Sequence, residues 1–164
     1  MFINKKEENM TTARDIMTKD VITVYPDTEI AQAALLLLEK HINGLPVVDR
    51  DGSLKGIICQ SDLMAQQEKI PLPSFFVLLD GIIPLSSPKQ IEKEIQKMAA
   101  ITVAEAMTTN LVTVDVQTGL EDIATLMVKN NIHTLPVLEN GLLAGIIGME
   151  DILRTIIPGG GKQH

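Results

Sequence analysis

Two rhythms of apolar and polar residues run through this chain, and each occurs twice. Ile30, Ala33, Ala34, Leu37 and Leu38 recur at intervals of three and four, which predicts a helix over residues 29–41 with one face turned to a core. Pro26-Asp27-Thr28 precedes it, with Thr28 the expected N-cap; Lys40-His41 and then Asn43-Gly44 close it, cations and a stop that suit the helix C-terminus. Short β-branched runs flank the helix, Val21-Ile22-Thr23-Val24 before it and Leu45-Pro46-Val47-Val48 after it, and both predict strands. Asp51-Gly52 is a hairpin signal that turns the second of these into a strand over 54–59. Gly56-Ile57-Ile58-Cys59-Gln60-Ser61-Asp62 leads from that strand into a helix over 61–69. One or two helical turns at 12–18, opened by a Thr, stand in front of the whole set.

The same order restarts at Thr102. Met107-Thr108 matches Met17-Thr18, Val112-Thr113-Val114 matches Ile22-Thr23-Val24, Thr118 matches Thr28, and Leu135-Pro136-Val137 matches Leu45-Pro46-Val47. The offset is 90 up to the hairpin and 89 after it, because Asn140-Gly141 is one residue shorter than Arg50-Asp51-Gly52. Gly145-Ile146-Ile147-Gly148-Met149-Glu150-Asp151 repeats the first Gly-to-Asp segment. One offset holding across helix, strand and turn marks an internal repeat. The chain therefore divides into a first repeat at 12–69, an insert at 70–101, a second repeat at 102–157 and a flexible tail at 158–164. Pro71, Pro73, Pro84 and Pro88 break the first part of the insert, and Ile91, Ile95 and Met98 predict an amphipathic helix over 88–100. Residues 1–10 are polar and expected to fray.

Each repeat reads as strand–helix–strand–strand–helix, an α/β (α+β) unit of about 50 residues, too small to make a stable core alone. Packing the two sheets face to face about a pseudo-twofold axis covers both apolar faces and leaves two related clefts bordered by the Gly-to-Asp segments. A glycine there lets the backbone approach a neighbour closely, and an Asp at a helix start accepts hydrogen bonds.

Composition narrows the function. Apolar residues make up 45% of the 164 but aromatic ones only 2%, so the core is built of Leu, Ile, Val, Met and Ala. A net charge of −7 argues against nucleic acid, which requires a basic face; a small anion held by backbone N–H groups stays possible. Cys59 is the sole cysteine, so no internal disulfide forms, and no Cys/His cluster has metal-binding spacing. As a lone thiol without a nearby base, Cys59 reads as a core residue rather than a nucleophile. The start of the chain has no signal-peptide pattern, and the apolar stretch at 75–85 is interrupted by Asp80, Gly81 and Pro84, far short of a membrane span. A cytoplasmic protein without a membrane partner is the expectation. No carboxylate pair, triad, metal set or phosphate loop has workable spacing, so an enzyme is not expected.

The duplicated Met-Thr, Leu-Pro-Val and Gly-Ile-Ile…Asp, in fixed order, resemble a tandem pair of CBS domains, often called a Bateman module, of the stand-alone bacterial or archaeal type. The resemblance implies a non-catalytic regulatory module. It needs no cofactor. Its regulatory ligand is an adenosine-containing small molecule, an adenine nucleotide (AMP, ADP or ATP) or S-adenosylmethionine. It also implies a homodimer and an output protein acting in trans. Carried over residue by residue, it places Asp62 and Asp151 on the ribose hydroxyls. Met17 and Ile22 in the first repeat, and Met107 and Val112 in the second, fall where the ring is sandwiched. Asn43, Gly44, Leu45 and Pro46, and His133, Thr134, Leu135 and Pro136, fall where backbone groups read the adenine edge. Ser61 matches a hydroxyl used on ribose or phosphate, and His133 a phosphate-holding position. This chain departs from the pattern at Cys59 and Gly148, where the family carries Thr or Ser, and at Glu150, whose charge opposes phosphate. The Asp62 site therefore ranks above the Asp151 site for nucleotides. The missing hydroxyls also motivate an alternative, a structural or protein-interaction module with degenerate pockets whose partner docks on residues 70–101.

Overall fold

The structure is a computed structural model, and it describes residues 10–67 and 101–159. The expectations for the insert, including the helix over 88–100 and the apolar stretch at 75–85, lie outside the described residues, as do those for residues 1–9 and 160–164.

The first repeat contains α1 (Ala13–Ile16), α2 (Ile30–Glu39), β1 (Gly44–Val48), β2 (Leu54–Cys59) and α3 (Gln60–Gln67). The second contains α4 (Val103–Ala106), β3 (Val114–Asp115), α5 (Leu120–Lys129), β4 (Thr134–Glu139), β5 (Leu142–Gly148) and α6 (Met149–Ile156). Thr12 and Thr102 open the two short helices, their N–H groups donating to Asp15 Oδ2 and Glu105 Oε2, each at 2.8 Å. The hairpins are antiparallel and in matching register, Pro46 opposite Ile57 and Pro136 opposite Ile146. Gly52 and Gly141 take the positive φ, 86° and 79°, that the tight turns require. Thr28 does not cap α2 as expected: Glu29 stands at the N-cap, and the Thr28 hydroxyl accepts the Tyr25 N–H at 3.0 Å, closing the turn before it. Among the described residues no helix is long and apolar enough to cross a membrane.

The strand–helix–strand–strand–helix order is borne out in both repeats, with one asymmetry. In the second repeat Val114 and Asp115 pair in parallel with Val137 and Leu138, and the Val116 N–H extends the ladder to the Leu138 carbonyl at 3.1 Å. In the first repeat the strand predicted at 21–24 shrinks to a single parallel bridge, Val24 to Val47. The residue matching Val116 is Pro26, which has no N–H to donate, so the ladder cannot be extended there.

The described chain folds as two compact units that do not follow the repeats. One spans Ile22–Leu111; the other joins Met1–Val21 to Val112–His164. Val24, Ala33, Leu37, Leu45, Val47 and Ile58 form the core of the 22–111 unit together with Val103, which comes from the second repeat. Val114, Val116, Ile123, Met127, Leu135, Val137 and Ile147 form the other core together with Ala13, Ile16 and Met17, which come from the first. Each short helix is thus lent to the opposite repeat. Val103 and Ala104 donate N–H bonds to the carbonyls of Thr28 (2.8 Å) and Pro26 (2.9 Å); Ala13 and Arg14 donate to those of Thr118 (2.8 Å) and Val116 (3.0 Å). Of the lent residues Ala13, Ile16, Met17 and Val103 are buried, and each buried Val, Ile or Met side chain is worth about 1.5–3 kcal/mol.

Candidate functional site

The two Gly-to-Asp segments are built alike. In the 22–111 unit Gly56 lies on β2, and a Cβ there would come within 2.6 Å of Met107 Sδ and 2.9 Å of the Thr108 carbonyl oxygen. The glycine is what admits the lent segment: Ile57 and Thr108 exchange backbone N–H bonds at 3.0 and 2.9 Å. In the other unit a Cβ on Gly145 would come within 2.4 Å of Met17 Sδ, and Thr18 and Ile146 exchange the same pair of bonds at 2.8 and 3.0 Å.

Beyond each glycine the strand runs into a helix whose first turn carries the conserved-in-both-repeats carboxylate. Asp62 Oδ2 accepts the Cys59 N–H at 2.7 Å, and its Oδ1 accepts the Thr108 hydroxyl at 3.1 Å. Asp151 Oδ2 accepts the Gly148 N–H at 2.9 Å. Both carboxylates are half-buried at a helix start, where the helix dipole favours negative charge. Burial, and secondarily the Asp62 charge, push the Cys59 thiol up to about 11, so it stays protonated at neutral pH and is no nucleophile.

Strand pairing sets the other candidates around these carboxylates. Gly44 is opposite Cys59, and the Asn43 carbonyl accepts the Gln60 N–H at 3.2 Å; Thr134 is opposite Gly148. Asn43, Gly44, Cys59, Ser61 and Asp62 therefore meet at one end of the first hairpin, and His133, Thr134, Gly148 and Asp151 at one end of the second. Leu45, Pro46, Leu135 and Pro136 are fully buried, so only their backbone is on offer. Ile22 and Val112 pack against the cores of their own units. Gly148 has room for a side chain: a Cβ would meet nothing nearer than Asp151 Oδ2 at 3.8 Å and the His133 carbonyl at 3.9 Å.

The grouping by repeat is corrected at the methionines. Met17 belongs to the unit that holds Asp151, and Met107 to the unit that holds Asp62, because each follows a short helix docked on the opposite repeat. Sequence reasoning also missed Thr108. Its signal was present in the duplicated Met-Thr pair, but nothing local shows that the hydroxyl reaches a carboxylate 46 positions away. The first turns differ as well: where α3 has the exposed Ser61, α6 has Glu150, which pairs with Arg154 at 3.6 Å. Among the described residues no group of three or more His, Cys, Asp or Glu could hold a metal ion.

Comparison with known proteins agrees with this architecture. The CBS domain model matches residues 13–69 and 103–158. An uncharacterised protein of Methanocaldococcus jannaschii is 32% identical over 154 residues, covering 88% of this chain and 90% of its own. Among solved structures, CBSX2 in complex with AMP is 29% identical, with a TM-score of 0.67, covering 88% of this chain and 95% of that one. The CBS domain pair of protein MJ0100, in complex with 5′-methylthioadenosine and S-adenosyl-L-methionine, is 30% identical, with a TM-score of 0.66, covering 93% and 99%.

Proposed function

Because the chain belongs to the CBS-domain family and carries the domain twice, we propose that it is a regulatory module that binds an adenosine-containing ligand and passes that event to a partner by a change of conformation. The observation that carries this reading is the pair of half-buried carboxylates, Asp62 and Asp151, each fixed at a helix start by an N–H three residues earlier (2.7 and 2.9 Å). Such a carboxylate has acceptor capacity suited to the vicinal hydroxyls of a ribose, a charge-assisted pairing. Adenosine is the moiety shared by the AMP of CBSX2 and the two thio-compounds of the MJ0100 pair, which supports it as the common element here.

In the 22–111 unit the ligand lies against Asn43, Gly44, the backbone of Leu45 and Pro46, Cys59, Ser61, Asp62 and Ile22, with Met107 on the same hairpin. In the other it lies against Val112, His133, Thr134, the backbone of Leu135 and Pro136, Gly148 and Asp151, with Met17. Ser61 offers a hydroxyl to a phosphate where Glu150 offers only acceptors, so the Asp62 site is the nucleotide site of the two. The module is cytoplasmic, works as a homodimer and acts on an output protein in trans, without catalysis. The exposed apolar residues Leu153, Ile156 and Ile157 are consistent with a face covered by association.

A thermal-shift panel with AMP, ADP, ATP, S-adenosylmethionine, NADH and cyclic di-AMP tests the reading. A ligand at 100 times its Kd stabilises the folded state by about 2.7 kcal/mol, which for a chain of this size is a rise of roughly 5–10 °C. Asp62→Ala is expected to abolish the rise from a nucleotide; because it also leaves the Cys59 N–H and the Thr108 hydroxyl without their acceptor, the melting temperature of the free protein is expected to fall by a few degrees, and the rise is read against that variant's own ligand-free value. No rise with any compound, in protein shown to be folded and free of bound ligand, supports instead the alternative, an interaction module whose partner docks on residues 70–101.

A further inference from the structure

The Asp62 carboxylate is held from two directions. Its Oδ2 accepts a backbone N–H from its own helix start, and its Oδ1 accepts a hydroxyl from Thr108, the second residue after the short helix lent by the second repeat. We propose that Thr108 is a positioning residue for ligand binding at Asp62, so that the carboxylate of the first repeat's site is aimed by the second repeat. This rests on the adenosine reading above and says which residue makes that site competent.

The argument is one of satisfiable acceptors. An ionised carboxylate has about four lone-pair directions, two on each oxygen. Cys59 takes one on Oδ2 and Thr108 one on Oδ1. One remains on each oxygen, and two parallel acceptors on adjacent oxygens are what a vicinal diol requires. With Cys59 alone, the carboxyl group keeps freedom to rotate about its bond to the β-carbon, and the ligand must stop that rotation itself. With both donors in place the plane is fixed before the ligand arrives, which removes an ordering cost from binding. Thr108 is itself held in position: its N–H donates to the Ile57 carbonyl at 2.9 Å, and its carbonyl accepts the Ile57 N–H at 3.0 Å. That bridge depends on Gly56, since a Cβ there would come within 2.9 Å of the Thr108 carbonyl oxygen. Gly56, Thr108 and Asp62 thus act as one assembly. Thr108 is solvent-exposed, so its hydroxyl contributes to orientation rather than to the stability of the core.

Isothermal titration of the full chain with AMP tests this, using Asp62→Asn, Thr108→Val, Thr108→Ser and the Asp62→Asn/Thr108→Val double variant, with melting temperatures measured alongside. Valine keeps the backbone bridge and removes the hydroxyl; AMP affinity is expected to fall about three- to tenfold, the usual size for a partly exposed hydrogen bond to a charged group, with an unchanged melting temperature. Serine keeps the hydroxyl and is expected to stay within about twofold of the parent, and valine is expected to add no further loss once Asp62 is Asn. If Asp62→Asn weakens AMP binding and Thr108→Val does not, the positioning role is overturned and the ligand reading stands. If Thr108→Val and Thr108→Ser lose affinity alike, or the losses of valine and Asn simply add, the hydroxyl is not acting through the carboxylate and the proposal falls. If the parent takes up neither AMP nor S-adenosylmethionine titrated in the same way, or Asp62→Asn binds as tightly as the parent, the ligand reading at Asp62 fails and the proposal with it.

Discussion

Cys59 shows how little a residue type says before its surroundings are known. A lone cysteine beside a helix start invites a reactive role, because a helix N-terminus ordinarily lowers a thiol's pKa. Here burial, with the Asp62 charge next to it, raises it to about 11. The sign follows directly: an acid whose folded pKa lies above its unfolded one binds more protons when folded, so folding loses stability as pH climbs from about 9 towards 11. At pH 7.5 the folded thiol holds about 100-fold less thiolate than an ordinary cysteine with a pKa near 9. Iodoacetamide is therefore expected to modify Cys59 slowly in native protein and at the ordinary rate in urea; equal rates would contradict the burial argument. Asp62 and Asp151 are the opposite case, legible from sequence as helix-start acceptors and found in that role. Thr108 was legible only as half of a repeated dipeptide.

Most elements were written in local pattern. The helical spacing of Ile30, Ala33 and Leu37 buries those residues, though Leu38, expected on the same face, is 65% exposed; Asn140-Gly141 turns with positive φ at both residues, whereas in Asp51-Gly52 only the glycine takes it. What failed did so for non-local reasons. The first β-branched run is as strand-like as the second, yet the proline at its end lacks the N–H that would extend its ladder. The glycines of β2 and β5 look like weak points in a strand until the lent methionines are placed on them. Gly145→Ala is expected to cost about 1–3 kcal/mol through overpacking against Met17, read by urea unfolding. Met17→Ala removes the colliding Sδ and Cγ, so the double variant should be at least 1 kcal/mol more stable than the summed single losses predict. Gly56→Ala should be rescued less well by Met107→Ala, because there the backbone oxygen of Thr108 also stands in the way. Strict additivity at Gly145 would mean that the close approach does not explain the glycine.

At the scale of the whole chain, the repeat is not the folding unit. Each compact unit takes its short helix from the other repeat, so the chain passes between units at 21/22 and again at 111/112. A fragment of residues 1–69 holds one repeat but lacks Val103 and Met107, which its own unit needs, and carries Ala13, Ile16 and Met17 with nothing to pack on. It is expected to show no cooperative thermal transition by circular dichroism, whereas the full chain shows one; a sharp transition in the fragment would show that the lent helix is dispensable.

The sequence by itself determined the duplication, the type and order of the elements, the hairpin turns and the two carboxylates at helix starts, because each of these is set by residues within a few positions of one another. The tertiary structure alone decided which repeat receives each short helix, and therefore which methionine and which threonine stand beside which Asp. The physical reason is degeneracy. Gly56-Ile57 and Gly145-Ile146 offer nearly the same docking edge, and α1 and α4 carry nearly the same Met-Thr, so no local pattern distinguishes a helix docked on its own repeat from one docked on the other. That choice is made by contacts between residues about 50 to 130 positions apart.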